Sequence, residues 1–257
     1  MFSVKNAAIS GVQCFLFLNS SNVLEIKRGT TVLRSGTTTL TEGVWYFIEF
    51  KASVHDSTGI MEVRLDGVVE IAKFTGDTKH LNDNGVITHT SIWETASSFK
   101  GNFDNYYVLN TEGTINNDYL GKIVCEPIAI ESDDVTAWTR SAGTTNYENL
   151  DDNAGSPNDL TYVSSSTLNQ VDQYDLANID ASIVVNGLKL ISRHSKDGIA
   201  ARSTTMSIES GANSVNQVLI NTEVATSKQI IIESLDGSNA ISDSDVNIAK
   251  LKIEVTK

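Results

Sequence analysis

Cysteine is scarce in this sequence. Its 257 residues include only Cys14 and Cys125, which lie far apart and form no CxxC pair. Two buried free thiols are the favoured interpretation, because cysteine often serves as a small core hydrophobe, and one disulfide bond is the alternative. The four histidines form no HxxxH or HxH pattern: His55, His80, His89 and His194. Zinc therefore has no support from the sequence.

Positive charge and long apolar runs are also scarce. There are 19 Lys and Arg residues against 32 Asp and Glu, so the formal net charge is −13. Nucleic acid and anionic membrane surfaces recruit basic patches, so this balance argues against both as partners. The longest apolar runs, such as residues 230–232, fall far short of the roughly 20 residues of a membrane span. Residues 15–18 are too short for the core of a secretory signal, so we expect a soluble protein without membrane insertion.

The dominant pattern in the first half is an alternation with period two. Apolar residues recur at every second position from Tyr46 to Val54, including Ile48 and Phe50, which predicts a strand with one buried face. Trp45 stands at the head of this strand, and we expect it in the core. Asp66-Gly67 separates two β-rich runs and predicts a type I′ hairpin turn, in which both residues have positive φ. Residues 28–30 predict another hairpin in the same manner.

The second half continues this style. Residues 183–191 predict one long strand with a bulge at Gly187. Residues 196–198 predict a turn, after which Thr204, Met206 and Ile208 alternate on the returning strand. Residues 228–233 and 250–255 predict two further strands. No window of 12 or more residues has a capped helical period, so the sequence predicts an all-β protein of sandwich or barrel type.

Chain length and local composition suggest two domains. A chain of this length has one or two domains, and residues 108–125 form a polar, turn-rich boundary. We therefore expect a first β-sandwich over residues 1–120 and a second β-sandwich-like domain over residues 121–257. Residues 131–178, polar and poor in apolar runs, are expected to form surface loops rather than core.

Several segments in this order resemble the laminin-G-like (concanavalin A-like) domain of tailed-bacteriophage virion proteins. The matching segments are GVWYFIEFK at 43–51, EVRLDG at 62–67, DNYYV at 104–108, NNDYLG at 116–121, WTRSAG at 138–143, NY at 146–147, YVSSST at 162–167 and RHSKDG at 193–198. The resemblance implies an antiparallel laminin-G-like β-sandwich. It also implies a non-enzymatic phage structural protein: a tail, fibre or head-decoration component of the virion, assembled in the host cytoplasm.

The same resemblance implies a sandwich shortened at its N-terminus, because residue 1 corresponds to the middle of the family's domain. Either the sandwich is reduced or a neighbouring chain completes it. An open sheet edge should then be covered by another virion protein or by a second copy of the chain. We expect residues 1–17 to belong to this contact, with Phe15 and Phe17 on one strand face and Leu16 and Leu18 on the other.

The competing hypothesis is a carbohydrate-binding module that recognises glycans of the host surface. Its candidate contact residues are aromatic, and each of them is equally an interface candidate: Trp138, Tyr147, Tyr119 and Trp93. Trp138 and Tyr147 lie in the polar stretch, where an exposed aromatic residue more often anchors an interface.

Catalysis and ion binding have weaker support. Glucanases of the concanavalin-like fold use an E-x-D-x-x-E motif, but the nearest match here begins at Glu131-Ser132-Asp133 and has Thr136 in the last position. A solvated acidic loop that includes Asp134 is the preferred interpretation, and a polysaccharide depolymerase is the third functional hypothesis. We expect no catalytic residue, no metal and no cofactor. Structural calcium in the loops at 82–85 and 151–153 is the minor alternative.

Overall fold

The computed structural model describes residues 2–6, 11–80, 86–92, 101–152, 156–198, 203–220 and 222–257. Regular structure in these residues is almost entirely antiparallel β, as predicted. The strands are β1 (Phe2–Asn6), β2 (Gly11–Leu18), β3 (Val23–Arg28), β4 (Thr31–Thr39), β5 (Ile48–Ser53), β6 (Gly59–Leu65), β7 (Val68–Gly76), β8 (His89–Ile92), β9 (Ile130–Val135), β10 (Thr139–Arg140), β11 (Val163–Ser164), β12 (Val171–Leu176), β13 (Leu188–His194), β14 (Ser203–Ser210), β15 (Asn213–Ile220), β16 (Thr226–Ile232) and β17 (Ala249–Val255). A short helix α1 (Asp243–Asn247) and a 3-10 helix (Tyr147–Asn149) complete this set.

The chain divides into two compact units. Unit 1 comprises Met1–Asn110 and Asp118–Cys125, and unit 2 comprises Thr111–Asn117 and Glu126–Lys257. The chain therefore passes between the units at three points, after residues 110, 117 and 125.

Unit 1 is a sandwich of two sheets. One sheet has the order β4-β3-β2-β1-β8 and the other has the order β5-β6-β7. Both sheets contribute to one core, which contains Leu16 and Ile26 from the first and Met61 and Val63 from the second. The alternating residues from Tyr46 to Val54 all pack against this core, which confirms the predicted strand face.

Both predicted hairpin turns of unit 1 are present. Asp66 and Gly67 have φ values of 51° and 82°, as a type I′ turn requires, and they join β6 to β7. Gly29, with a φ of 54°, lies in the turn between β3 and β4.

One carboxylate ties the two sheets of unit 1 together. Glu70 of β7 accepts hydrogen bonds at Oε1 from the backbone N–H groups of Thr37 and Thr38, at 2.6 and 2.7 Å. Its Oε2 accepts from the Thr38 hydroxyl at 2.7 Å. The side chain occupies the place a Cβ would take at Gly36, 2.2 Å from the position of that atom. Gly36 is therefore the residue that lets the carboxylate reach the β4 backbone.

Phe15 and Phe17, the residues expected in the contact at an open sheet edge, do not themselves lie at an edge. Their strand, β2, pairs with β1 on one side and β3 on the other, so it is an interior strand. The predicted division of faces is correct, because Leu16 is buried in the core with Leu18 packed against it. The two phenylalanine rings contact each other edge to face, with centroids 6.4 Å apart, and Lys27 lies over the Phe17 ring.

Unit 2 has two antiparallel sheets around its core, and β10 pairs with β11 in a separate two-stranded sheet. The order of the larger sheet is β15-β14-β17-β12-β9, and β13 pairs with β16 in the smaller one. The core combines Tyr174, Ile208 and Leu251 of the larger sheet with Leu190 and Ile232 of the smaller. The predicted alternation in β17 is confirmed, because Leu251, Ile253 and Val255 are all buried.

Two expectations for unit 2 need correction. The strand predicted over residues 183–191 begins only at Leu188, and Gly187 precedes it. The turn at residues 196–198 does not lead into a hairpin, because β13 pairs with β16 while β14 pairs with β15 and β17. The smaller sheet thus joins segments about 40 residues apart, a pairing that local alternation cannot reveal.

The cysteine prediction is partly right. Cys14 and Cys125 are both free thiols, and Cys14 is fully buried in the core of unit 1, but Cys125 is exposed. Burial raises the pKa of the Cys14 thiol to about 12, which makes it an unreactive core residue.

Candidate functional site

A buried carboxylate organises the polar stretch of unit 2. Asp172 of β12 has no exposed surface. Its Oδ1 accepts from the backbone N–H groups of Ala137 and Trp138, at 2.6 and 2.8 Å. Its Oδ2 accepts from the Asn146 amide and the Tyr174 hydroxyl, both at 2.7 Å. Four donors therefore surround the two oxygens and compensate the burial of the charge.

A second carboxylate holds the start of the 3-10 helix. Asp133 of β9 accepts from the backbone N–H groups of Asn146 and Tyr147, at 2.8 and 2.7 Å. These are donors that the first turn of a helix leaves without an internal partner. The acidic segment at 131–134 is therefore part of a strand rather than a solvated loop, and the expectation of a loop is wrong.

The Asn149 side chain holds the turns of this loop together through hydrogen bonds to its backbone. The Asn149 amide donates to the carbonyl groups of Ala142 and Thr145, both at 3.0 Å, and its Oδ1 accepts from the Ala142 backbone N–H. Ser141 links this loop to the next one, because its backbone N–H donates to Tyr162 and its hydroxyl accepts from the Tyr162 backbone N–H. The segment from residue 137 to 150, here called the 137–150 loop, is consequently held by hydrogen bonds near its start, in its middle and near its end.

The chemistry of these carboxylates is structural. Every oxygen of Asp133 and Asp172 accepts at least one hydrogen bond from the protein, so neither is presented as a base toward a substrate. Burial and the hydrogen bond to Asp172 raise the pKa of Tyr174, so this hydroxyl remains a donor. The polar stretch thus contains core residues, contrary to the expectation of surface loops alone.

Residues 138–143 of the 137–150 loop line an open depression of about 440 Å³. Arg140 is exposed there, and its Nε donates to the Gly143 carbonyl at 3.1 Å. Thr139 and Ser141 are exposed residues as well, and the Ser141 hydroxyl is bonded to Asn149, Leu160 and Tyr162. The depression offers hydrogen-bonding groups on a rigid backbone.

No family model, curated protein or solved structure matches this chain. Function must therefore be argued from the residues and their geometry.

The aromatic candidates are distributed over both units. Trp138 and Tyr147 lie in unit 2, where both are partly buried against the core, and the Trp138 ring N–H donates to the Gln170 carbonyl at 3.1 Å. Tyr119 lies in unit 1, partly buried beneath the Arg64 guanidinium, which is 3.9 Å from its ring centroid. Trp93 lies outside the described residues.

Unit 1 has a polar cluster of its own on the outer face of the β5-β6-β7 sheet. Glu49 is only 4% exposed, and its Oε1 accepts from the Tyr107 hydroxyl at 2.5 Å and from the Gly121 backbone N–H at 2.9 Å. Lys51 pairs with Asp118 at 2.9 Å. These contacts fasten Tyr107 and residues 118–121 of unit 1 to the sheet. Burial, followed by the hydrogen bond to Glu49, raises the pKa of Tyr107, so its hydroxyl stays protonated.

The largest departure from expectation in unit 1 is Trp45, which is 67% exposed rather than buried. The Asp66 backbone N–H donates to the Phe47 carbonyl at 2.7 Å, which brings the segment carrying Trp45 to the β6–β7 turn. Val44, Val68 and Val69 are exposed at this same end of the sheet, at 53%, 71% and 50%. We call these four residues the Trp45 patch.

Sequence reasoning missed Glu49, Asp172 and the Trp45 patch. A signal for the patch was present, because the alternation that directs Tyr46 toward the core directs Trp45 to the opposite face. Glu49 and Asp172 gave no local signal, because hydrogen-bond donors to them come from segments 26 to 72 residues away in the sequence.

In the described ranges, no group of three or more His, Cys, Asp or Glu side chains could hold a metal ion. Residues 81–85, which include one predicted calcium loop, lie outside those ranges, as does Asn153 of the other. Asp152 of that second loop accepts from the Asn158 backbone N–H at 2.7 Å. No helix in the described part of the chain has the length and apolar character to cross a membrane.

Proposed function

We propose that this chain is a non-enzymatic structural component of a tailed-bacteriophage virion that acts through protein–protein assembly. The Trp45 patch carries the assembly part of the proposal. One tryptophan and three valines are exposed near one end of a sheet, and exposed apolar side chains that cluster on a surface mark interaction sites. Tryptophan is also enriched among the residues that dominate binding energy at interfaces.

The assignment to a virion rests on the resemblance of the segments quoted above, 43–51 among them, to laminin-G-like phage proteins. The donor sets of Asp133 and Asp172 agree with a structural role, because those carboxylates fix backbone rather than face a cleft. The proposed partners are other virion proteins and further copies of the chain, assembled in the host cytoplasm.

Electron microscopy of particles labelled with an antibody to this chain tests the proposal. Label at a regular position on tail, fibre or head is the expected result. Particles from the producing host that carry no label would contradict it.

Carbohydrate binding is the second candidate, and the depression at residues 138–143 favours it. The exposed polar residues Thr139 and Arg140, on a loop held by hydrogen bonds, suit a polyhydroxylated ligand. Titration with host-surface polysaccharide should then saturate, and Arg140→Ala should weaken binding while Arg34→Ala, in unit 1, should not. Binding that is absent, or unchanged in Arg140→Ala, would contradict this candidate.

A further inference from the structure

Strand β5 is an open edge of the three-stranded sheet of unit 1. It pairs with β6 alone, and within the described ranges no other strand pairs with it. The Asp66 backbone N–H donates to the Phe47 carbonyl, so the backbone groups of Phe47 and of every second residue after it point toward β6. Successive residues of an antiparallel strand point their backbone groups to opposite sides. The N–H and C=O groups of Ile48, Phe50 and Ala52 therefore point away from β6.

Several other sheet edges carry features that oppose strand addition. The β7 edge lies beside β4, held there by Glu70. Register shifts interrupt the β9 ladder, and the Lys228 ammonium donates to the Val218 carbonyl of β15 at 2.7 Å. Lys189 and Arg193, two exposed residues of like charge, lie on β13. Bulges and exposed like charges are recognised ways of blocking an edge, whereas β5 has a regular register and carries one acid and one base, Glu49 and Lys51.

We propose that β5 of a second copy of this chain pairs antiparallel with β5, with the two-fold axis at Phe50. The outward-pointing residues are placed symmetrically about that position. Phe50 then pairs with its own equivalent, and Ile48 pairs with Ala52 of the second copy. Each of these is a hydrogen-bonded pair, because the backbone groups of Ile48, Phe50 and Ala52 all point away from β6. The two sheets join into one six-stranded sheet with a self-complementary interface.

Charge on the outer face supports this occupant. The same register places Glu49 opposite Lys51 of the second copy, and Lys51 opposite the second Glu49. These are non-hydrogen-bonded pairs, in which side chains approach most closely. The Oε2 atom of Glu49 is buried without a hydrogen-bond partner among the described residues, and an ammonium group is a donor that it can accept from.

The pairing of β5 with β6 already places opposite charges across from each other within one chain. Glu49 stands opposite Arg64, and Lys51 stands opposite Glu62. A second β5 in antiparallel register presents the same sequence of charges on the other side. The β5–β5 pairing of two copies rests on the proposed assembly function and names the contact through which two copies would associate.

Three variants and the parent test the pairing in the full chain. Ala52→Pro removes an N–H that points away from β6, so it blocks strand addition, and an edge strand tolerates proline at such a position. Lys51→Glu places like charges opposite each other at both symmetric positions. Lys73→Glu is the matched control, because Lys73 is an exposed residue of β7 in the same unit and the charge change is identical.

Sedimentation velocity should show a parent dimer at micromolar concentration and a monomeric Ala52→Pro variant. Lys51→Glu should weaken the dimer by about tenfold or more, and Lys73→Glu should not. Hydrogen exchange in the parent should show protection of the Ile48, Phe50 and Ala52 amides that grows with protein concentration. This second readout keeps the test decisive if the proline variant fails to fold.

A monomeric parent, a dimer that survives both β5 variants, or exchange at those amides that does not change with concentration would overturn the pairing. None of these results bears on the labelling of particles by antibody, so the two proposals fail separately.

Discussion

At the residue scale, buried carboxylates stabilise segments that have little apolar content. Asp172 gathers backbone N–H groups, an amide and a hydroxyl from residues 137–174, and Glu49 gathers a hydroxyl and a backbone N–H from residues 107–121. A hydrogen bond to a charged group contributes about 1.5–3 kcal/mol, and loss of one partner leaves a buried group unsatisfied. Such residues are therefore the points where single substitutions should have large effects.

The first prediction concerns Asp172→Asn. An amide in this position directs an NH₂ group at donors that need an acceptor, so the free energy of unfolding of unit 2 should fall by about 2 kcal/mol or more. Denaturant melts provide the measurement. Asp134→Asn is the control, because Asp134 forms a partly exposed ion pair with Lys250 and should lose less than about 1 kcal/mol. Equal losses in the two variants would show that the Asp172 network contributes nothing special.

The second prediction concerns the pH dependence conferred by Glu70. Burial acts to raise the pKa of this carboxyl, but the hydrogen bonds from Thr38 and Thr37 lower it overall. A lowered pKa in the folded state means that the stabilisation is complete above the unfolded value of about 4.3 and disappears as pH falls through the folded value.

Glu70→Gln should therefore melt below the parent at neutral pH, and the gap should narrow as the pH falls below about 4. Thermal melts of both proteins across this range measure the gap. Glu42→Gln, at an exposed position, serves as the control. A gap that stays constant or widens on acidification would contradict the role given to Glu70.

At the element scale, the turns fix how strands pair. Asp66 and Gly67 both have positive φ, and a Cβ added to Gly67 would meet nothing within 4 Å. The cost of Gly67→Ala is therefore conformational and should be about 1 kcal/mol, seen as a lower denaturant midpoint. Gly198→Ala is the comparison, because Gly198 is equally open but not in the left-handed region. If both variants melt like the parent, the turn does not need its glycine.

The elements show where local pattern suffices and where it fails. Alternation and turn chemistry predicted the face of β5 and both hairpins of unit 1, because these depend on neighbours in sequence. The same rules could not predict that β13 pairs with β16 rather than β14, because a connection of about 30 residues leaves no local trace. Residues 131–178 looked like loops since polar side chains, rather than apolar ones, hold much of that segment together.

At the scale of the whole molecule, the distribution of charge and apolar surface favours specific contacts. A net charge of −13 keeps free chains apart, so association needs a defined surface. The β5 edge belongs to the three-stranded sheet of unit 1. The Trp45 patch comprises two residues of that sheet and two residues of the segment that leads into β5. Carbohydrate binding, the second proposed function, would use the depression at residues 138–143 of unit 2. Resemblance predicted assembly, but only the structure located these surfaces.

We propose that the chain is built into particles through the Trp45 patch. The most direct measurement is the amount of chain in gradient-purified particles when the host produces either the parent or a Trp45→Ser variant, with Ile231→Ser as an equally exposed control in unit 2. We predict that the parent and Ile231→Ser sediment with particles and that folded Trp45→Ser remains at the top of the gradient. A parent chain that stays at the top, or a Trp45→Ser chain incorporated as fully as the parent, would contradict the account.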